Sequence, residues 1–259
     1  MLIKLSVIIV TYNSSYIITQ CLNELIPAIP VEISEIILVD NASGDETLEI
    51  LESFKDKIKI ISLNNNIGFA GGINRGISIS EGEIILIINP DLIINYECLN
   101  GMIDFLSGHE KVGAVAPRLL LLNGVKQPSC RRYPILRAIL CNRITLIKRI
   151  MGDKVIDEFL MADADNSQPV EVEWVIGACI LFRRKALQDV GLFDKEFFLY
   201  YEDADWCYRA RKMGWKVFYL PEFTAKHLYK RESKQGINRQ LVWHIMSLVR
   251  FYNKHGFRF

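Results

Sequence analysis

Four short runs rich in isoleucine and valine constrain the fold of this chain more than any other feature. The runs are apolar at almost every position, as expected for strands of a parallel sheet that is covered on both faces. The predicted strands are Leu5–Val10, Glu35–Val39, Ile58–Leu63 and Glu83–Ile88. The amphipathic segments between them predict helices over Ser15–Leu25, Glu46–Phe54 and Ala70–Ser80. We therefore predict an α/β fold with a Rossmann-like, mostly parallel sheet flanked by helices.

The second half of the chain is less regular. Acidic residues at its start, basic residues at its end and a following Gly214 predict a helix over Asp203–Met213. Two further strands are predicted over Val175–Phe182 and Trp215–Leu220, and a closing helix over Gln240–Tyr252.

Charge and cysteine content exclude several classes of protein. The 259 residues carry a formal net charge of only +1, which argues against a nucleic-acid-binding protein. The six cysteines show no CxxC pair, so a reduced, cytoplasmic compartment is expected. No signal peptide is visible, and no stretch approaches the roughly 18 apolar residues that span a bilayer. We expect a cytoplasmic protein that is soluble or lies on the inner face of the cell membrane.

Three polar clusters follow predicted strands. They are Thr11–Ser14, Asp40–Ser43 and Asn89–Asp91. Ligands of open α/β sheets bind outside the carboxyl ends of the strands, so the clusters mark a ligand site. The glycines at positions 68, 71, 72 and 76 do not fit GxGxxG, which argues against a dinucleotide-dependent oxidoreductase.

Five ordered motifs carry a specific resemblance. They are Val7–Ser14, Val39–Ser43, Asn66–Asn74, Asn89–Asp91 and Phe197–Asp205. The first three resemble the donor-binding half of family 2 glycosyltransferases with a GT-A fold, and the last two resemble the rhamnosyltransferase-like branch of that family. With His227 the match covers most of the chain.

The resemblance implies a nucleotide-sugar site built from residues at the strand ends. Those implied to bind the donor are Thr11, Asn13, Asp40, Asn41, Gly71, Gly72, Asn74, Arg75 and Asn89. Asp40 could instead cap a turn, and the two roles are compatible. The glycines could equally serve close helix packing, and Arg75 could be a solvated helix residue.

The Asn89-Pro90-Asp91 motif stands where the GT-A fold carries its Asp-x-Asp metal motif. The resemblance implies that Asp91 and His227 hold a divalent cation, Mg²⁺ or Mn²⁺, against the diphosphate of the donor. Because the first position is Asn, one carboxylate is lost and the cation is expected to bind weakly without donor. A plain turn and a structural histidine are the alternatives.

The acidic run Glu202–Asp205 is the candidate catalytic cluster. By resemblance Asp203 is the general base that accepts the proton of the acceptor hydroxyl, and Glu202 holds the acceptor. Crowding of these acids is expected to raise at least one pKa. The alternative is that they stabilise a helix N-terminus, with Asp205 paired to Arg209. Trp174 and Gly177 are expected beside the acceptor, although Trp174 could be a core residue.

Three segments are predicted within a single GT-A domain. Residues 1–116 form the donor-binding half, 117–172 an insertion, and 173–259 the acceptor-binding and catalytic half. The insertion contains an amphipathic basic helix over Pro134–Met151, which suits an anionic membrane surface or a lipid diphosphate acceptor. Packing on the domain and a subunit contact are the alternatives.

The resemblance thus implies an inverting, metal-dependent glycosyltransferase. The branch favours dTDP-rhamnose as donor and a lipid-linked or polysaccharide acceptor in bacterial surface-glycan synthesis. A UDP-hexose or UDP-galactofuranose donor is a second hypothesis, and a nucleotide-sugar-binding protein without turnover is a third. The sequence indicates neither the linkage position nor the oligomeric state.

Overall fold

The four runs rich in isoleucine and valine form one half of a mixed β-sheet. The computed structural model describes residues 4–30, 34–133, 154–161, 164, 168–228 and 239–256. The four strands are β1 (Leu5–Thr11), β2 (Ser34–Asp40), β3 (Lys59–Ser62) and β4 (Ile84–Ile88). β1 lies between β2 and β4, β3 lies outside β2, and every pair is parallel, as predicted.

Helices cover both faces of these strands. They are α1 (Ser15–Ala28), α2 (Thr47–Glu52) and α3 (Gly68–Ile79). Successive side chains of a strand point to opposite faces, so β1 supplies both layers of core. Val7 and Ile9 pack in the same apolar cluster as Leu22 of α1, whereas Ile8 packs with Ile73 of α3. All three predicted helices are confirmed, with α3 beginning two residues earlier than expected.

The rest of the chain adds an antiparallel strand, a second parallel pair and further helices. These elements are β5 (Leu92–Ile93), α4 (Tyr96–Gly108), β6 (Val112–Leu121), β7 (Lys126–Gln127), β8 (Cys130–Arg131), α5 (Lys154–Phe159), β9 (Val170–Glu171), β10 (Trp174–Val175), β11 (Cys179–Arg183), α6 (Arg184–Val190), α7 (Glu202–Lys212), β12 (Lys216–His227) and α8 (Arg239–His255).

The strand order of the main sheet is β3-β2-β1-β4-β11-β6-β12-β5. β11 runs antiparallel between β4 and β6, and β12 runs parallel to β6. β7 and β9 attach to β6 and β12, while β8 and β10 form a separate antiparallel pair. The predicted α/β class and mostly parallel sheet are confirmed.

Several predicted boundaries are wrong. A single strand was predicted over Val175–Phe182, but the structure has two strands there. Residues 176–178, between β10 and β11, belong to neither strand. α4, β6 and α6 were not predicted, and the predicted segment boundary at residue 116 falls inside β6. β12 continues past the predicted Leu220 to His227 because its register shifts between Leu220 and Thr224.

The described cysteines are buried and form no disulfide bond with one another, at positions 21, 98, 130, 179 and 207. Among the described residues, none of the helices combines the length and apolarity that crossing a membrane requires. The predicted basic helix over Pro134–Met151 lies outside the described residues.

Candidate active site

A cavity of about 950 Å³ opens where the carboxyl ends of the parallel strands meet. Its wall combines the Asn89–Asp91 segment after β4, the 176–178 segment before β11 and the start of α7. These segments are distant in sequence, yet the topology brings them together because β11 pairs directly with β4. The cavity is therefore the candidate active site.

Asp40 ends β2 and is almost fully buried. Its Oδ1 accepts hydrogen bonds from the Thr11 hydroxyl (3.2 Å) and the Ser43 hydroxyl (2.5 Å), and its Oδ2 accepts one from the Ser43 backbone N–H (3.1 Å). The turn-capping role of Asp40 is thus present in the structure. Its contact with a nucleobase, and that of Thr11, stays a prediction.

Asn13 ties the loop after β1 to the loop after β2. Its backbone has a positive φ of 50°, which asparagine tolerates better than most residues. Its side-chain oxygen accepts a hydrogen bond from the Gly44 N–H at 2.8 Å, and its own N–H donates to the Ser43 hydroxyl at 2.9 Å. The two loops predicted to hold the donor are therefore fixed to each other.

Asn41 organises the loop that leads into α3. Its side-chain N–H groups donate to the Asn66 Oδ1 (2.9 Å) and to the Gly68 carbonyl (3.1 Å), and its oxygen accepts from the Ile67 N–H (2.9 Å). Asn41 lines the cavity while its side chain is used by these bonds. Asn41 could therefore contribute to donor binding in two ways. It could shape the loop, or its side-chain oxygen could accept a second hydrogen bond.

Two α3 residues predicted to bind the donor are Asn74 and Arg75, which lie in the second turn of the helix. Both polar ends of the Asn74 amide bond the backbone of Phe193, at 2.7 and 3.1 Å, and Arg75 is exposed. Neither is among the residues that line the cavity.

The glycines Gly71 and Gly72 are buried within α3. A Cβ at Gly72 would come within 2.7 Å of a methyl group of Val10 in β1, and one at Gly71 within 3.0 Å of the Ile67 side chain. Close packing, the alternative left open by the sequence, is thus the role that the structure displays. Their approach to a donor stays a prediction.

Asp91 and His227 meet across the sheet, although 136 residues separate them in the chain. The His227 Nε2 lies 3.1 Å from the Asp91 Oδ1, and the His227 Nδ1 lies 2.7 Å from the Gln127 Oε1. When Nδ1 carries a proton and donates it to Gln127, the Nε2 lone pair faces Asp91. Asn89 stands at the cavity wall next to this pair, with its backbone N–H bonded to the Ala178 carbonyl.

The Asp91–His227 pair fits a divalent cation. A carboxylate oxygen and an imidazole nitrogen are suitable ligands for Mn²⁺, and Gln127 supplies the outer hydrogen bond that orients a metal-binding histidine. No group of three or more His, Cys, Asp or Glu side chains with ligand geometry occurs in the part of the chain that the structure describes. A cation bound here would therefore draw further ligands from its substrate.

Asp203 lies in the first turn of α7, at the cavity wall. Its Oδ2 accepts from the Gly177 N–H (2.6 Å) and its Oδ1 from the Ala204 N–H (2.7 Å). Burial raises the pKa of this carboxyl above its ordinary value, and the two N–H bonds oppose that rise. The indole of Trp174 also lies towards Asp203, outside normal hydrogen-bond geometry.

Glu202 is buried beside Asp203 and also lines the cavity. Its Oε2 has no hydrogen-bond partner among the residues that the structure describes. Burial, followed by the negative charge of Asp203, raises the pKa of Glu202 well above its ordinary value. The predicted effect of crowding on a pKa is therefore found at Glu202, whereas burial accounts for the raised pKa of Asp203.

Asp205 has the structural role that was the alternative for this acidic run, namely pairing with Arg209 near the start of the helix. It is fully buried and pairs with Arg209 one turn later, at 2.8 Å. It also accepts from Lys254 (2.7 Å) and His255 (2.8 Å) at the end of α8. Asp205 does not line the cavity.

Trp174 and Gly177 both line the cavity on the side of Asp203. Trp174 is only 4% exposed and its ring lies 5.7 Å from that of Tyr201, so it is a core residue that also borders the site. The Gly177 N–H orients the Asp203 carboxylate.

The cavity residues that sequence reasoning missed include Gln127, Arg131, Trp243 and His244. Gln127 and Arg131 lie on short strands in a segment without a recognisable motif. Trp243 and His244 lie on α8, whose sequence pattern is that of an ordinary amphipathic helix. Arg131 lies over the Trp174 ring at 5.3 Å, and it is the one Lys or Arg among the described residues that line the cavity.

Comparison with known proteins agrees with this geometry. The chain is 28% identical over 218 residues to the low-salt glycan biosynthesis hexosyltransferase Agl10 of Haloferax volcanii, covering 82% of this chain and 63% of that protein. It is 27% identical over 244 residues to the N-acetylglucosaminyl-diphospho-decaprenol L-rhamnosyltransferase of Mycobacterium tuberculosis, covering 86% of this chain and 75% of that protein. The match thus spans less than two thirds of the length of the first relative and three quarters of the length of the second.

A solved structure shares the fold. The mannosyltransferase PcManGT of Pyrobaculum calidifontis, in complex with GDP-Man and Mn²⁺, superimposes with a TM-score of 0.66 at 18% identity, covering 97% of this chain and 63% of that one. Such a likeness identifies the fold, which is the GT-A fold of glycosyltransferases.

The family itself follows from the sequence. The family model described as glycosyl transferase family 2 matches residues 6–191, which include β1 to β4, the Asn89–Asp91 segment and β11. On this evidence the chain belongs to glycosyl transferase family 2 and is a glycosyltransferase of the GT-A type.

Proposed function

We propose that this enzyme is an inverting, metal-dependent transferase that moves L-rhamnose from dTDP-rhamnose to a hydroxyl of a lipid-linked or polysaccharide acceptor. One observation carries the proposal: the Asp91–His227 pair and the buried acids Glu202 and Asp203 face one cavity. The sugar is supported by the motifs and by the mycobacterial relative, whose name specifies L-rhamnose and a diphospho-decaprenol-linked sugar. The proposed setting is the synthesis of a bacterial surface glycan.

The donor site is proposed at the ends of β1 and β2, with Asp40 and Thr11 nearest the base and ribose. A divalent cation, Mn²⁺ or Mg²⁺, held by Asp91 and His227 would neutralise charge on the departing nucleoside diphosphate. Asn89 borders the same part of the cavity and would contact the diphosphate.

Asp203 is proposed as the general base. A carboxylate has about four lone-pair sites, so the bonds from Gly177 and Ala204 leave sites to accept the proton of the acceptor hydroxyl. These two bonds also fix the carboxylate, which keeps its orientation when the acceptor arrives. A raised pKa brings the base closer to neutral pH, where proton transfer from a hydroxyl is more effective.

Glu202 is proposed to hold the acceptor. Its unpartnered Oε2 can accept a hydrogen bond from a second acceptor hydroxyl, which would orient the reacting oxygen for in-line attack. Attack from the side opposite the leaving diphosphate inverts the anomeric carbon. No covalent intermediate on the protein is needed.

Association with a membrane is a further part of the proposal. It is supported by the basic composition of residues 111–152 and 226–259, which contain a single acid, Glu232. Replacing the basic residues of the predicted helix should weaken sedimentation with anionic vesicles. Unchanged sedimentation would contradict this part alone. The replaced residues would be Arg137, Arg143, Lys148 and Arg149.

A donor panel tests the function. Purified enzyme with Mn²⁺ or Mg²⁺ and a diphosphate-linked lipid sugar is incubated with dTDP-rhamnose, UDP-hexoses or UDP-galactofuranose, and the released nucleoside diphosphate is measured. We expect release with dTDP-rhamnose. Turnover with a UDP-sugar alone would replace the proposed donor, and no turnover with any donor would favour a binding protein.

The Asp203→Asn variant tests the base. We expect transfer to fall at least 10²-fold, the lower end of general-base catalysis, with donor affinity by calorimetry within about two-fold of wild type. The matched control is Asp189→Asn, which alters an exposed acid of α6 that does not line the cavity. Retained transfer in Asp203→Asn would exclude this residue as the base.

A further inference from the structure

The segment that enters α7 has a strained backbone. Tyr200 and Tyr201 have φ angles of 70° and 65°, and they directly precede Glu202 and Asp203. Two consecutive side-chain-bearing residues in the left-handed region are unfavourable, so this conformation persists only where neighbouring structure holds it. The segment determines where α7 begins. The orientation of the Glu202 and Asp203 side chains, which lie in its first turn, therefore depends on these dihedral angles.

One side of the segment is held by the donor-binding half. The Phe69 N–H at the start of α3 donates to the Phe198 carbonyl at 2.8 Å. This bond reaches Phe198 but none of the residues that follow it.

The other side is held by α8, a helix to which neither the motifs nor the proposed chemistry gives a role. The Ser247 hydroxyl donates to the Leu199 carbonyl at 2.8 Å. The Trp243 ring packs on Phe198 with centroids 4.9 Å apart, and the His244 ring packs on Tyr200 and Tyr201 at 5.2 and 5.1 Å. Contacts from one face of α8 thus reach every residue of the segment from Phe198 to Tyr201.

A second set of contacts joins α8 to α7 itself. Lys254 and His255 contact the Asp205 Oδ1, at 2.7 and 2.8 Å, two residues after Asp203. Lys254 also pairs with Asp194, before the segment. α8 is therefore tied to the chain before, within and after the strained turn, and a shift of α8 would be transmitted to the acids.

We infer that α8 is a positioning element, in which Ser247 and Trp243 hold the Phe198–Tyr201 segment so that Glu202 and Asp203 face the cavity. Ser247 acts through the backbone of Leu199 and does not itself line the cavity. The inference rests on the proposed roles of the two acids, but the conformational part can be measured without turnover.

The kinetic experiment compares Ser247→Ala with wild type and with Asn253→Ala, an exposed polar residue of the same helix. We expect kcat to fall about five-fold or more in Ser247→Ala, the factor that a hydrogen bond of ~1 kcal/mol gives at 25 °C. The KM for the donor should stay within two-fold, because the Ser247 hydroxyl bonds the Leu199 carbonyl and not a residue of the donor loops. Ser247→Thr keeps the hydroxyl and should restore kcat, and Asn253→Ala should match wild type.

Hydrogen exchange provides the readout that does not depend on activity. In the intact protein, Ser247→Ala should raise amide exchange in a peptide covering residues 198–207 and leave exchange in α1 (Ser15–Ala28) unchanged. Trp243→Phe keeps an aromatic ring but reduces its contact with Phe198, and it should also raise amide exchange in residues 198–207. This variant can be used if Ser247→Ala folds poorly.

The outcomes separate the two proposals. Wild-type kcat together with wild-type exchange in Ser247→Ala would overturn the inference. A uniform loss of stability with kcat unchanged would also overturn it, since it would show a merely structural helix. If wild-type enzyme transfers no sugar from any donor, the proposed function fails, and the exchange measurement alone still decides whether α8 holds the segment.

Discussion

Gly68 is a position at which a single added methyl group should strongly destabilise the fold. It begins α3 with a φ of +81°, and a Cβ at this position would lie 2.5 Å from the Phe198 carbonyl oxygen and 3.0 Å from the Phe198 Cα. Both neighbours are backbone atoms, which cannot swing aside as the end of a side chain can. The Gly68→Ala variant therefore meets two separate costs.

The two costs can be estimated separately. Placing a Cβ in the left-handed region costs about 1–2 kcal/mol. Forcing extra volume into a packed contact costs about 1–3 kcal/mol, so the sum is about 2–5 kcal/mol. Gly124 provides the control, because its φ is +76° but a Cβ there would have no atom within 4 Å. Gly124→Ala should therefore show the first cost alone.

Urea denaturation of wild type and both variants measures the free energies of unfolding, and the released nucleoside diphosphate measures transfer. We expect Gly68→Ala to lose about 1–3 kcal/mol more than Gly124→Ala. It should also lose transfer activity, because Phe198 belongs to the segment that leads into the proposed catalytic acids, Glu202 and Asp203. Equal destabilisation of the two variants would refute the reasoning, since it would show that the Phe198 backbone moves at no cost.

Two further predictions concern side chains in the cavity. Gln127→Leu should weaken Mn²⁺ binding in the presence of dTDP about 10-fold or more, because it removes the bond that orients the His227 imidazole. Electron paramagnetic resonance measures the Mn²⁺ affinity, and an unchanged affinity would contradict an orienting role for Gln127. Glu202→Gln should raise the free energy of unfolding at pH 8 by about 1–3 kcal/mol, because it removes a buried, unpartnered carboxylate. The pKa of Glu202 is raised in the folded protein, so wild-type stability falls as pH rises from about 4.5 through that pKa. The advantage of Glu202→Gln should accordingly shrink towards pH 4, and an advantage that does not vary with pH would contradict this origin.

The regular part of the fold was predictable because its information is local. Continuous apolarity over β1, β2 and β4 reports burial on both faces, and this property does not depend on distant residues. β6 is buried over its first six residues yet was not predicted as a strand. β11 was merged with β10, because the interruption between them is held by long-range bonds, such as that from the Gly177 N–H to Asp203, 26 residues away.

Residue types at the candidate site were predictable, but their partners were not. Asp91, Glu202 and Asp203 were selected by motif, and the structure places all three at one cavity. Asn74 was selected by the same reasoning, and its amide is bound to the backbone of Phe193, 119 residues away. A motif records which residue is present, whereas a long-range hydrogen bond decides whether its polar atoms remain available to a ligand.

The same distinction separates the three acids of the Glu202–Asp205 run, which look alike in sequence. Asp205 faces away from the cavity into a cluster of cationic partners, where its charge is compensated by Arg209 and Lys254. Asp203 is restrained by two backbone N–H groups and keeps lone pairs towards the cavity. Glu202 carries an oxygen without a partner. A helix N-terminus would accommodate all three acids for its dipole alone, but dipole stabilisation requires no burial. Keeping Glu202 buried without a partner costs folding free energy, and an acceptor hydroxyl that bonds its Oε2 would offset that cost when the substrate binds.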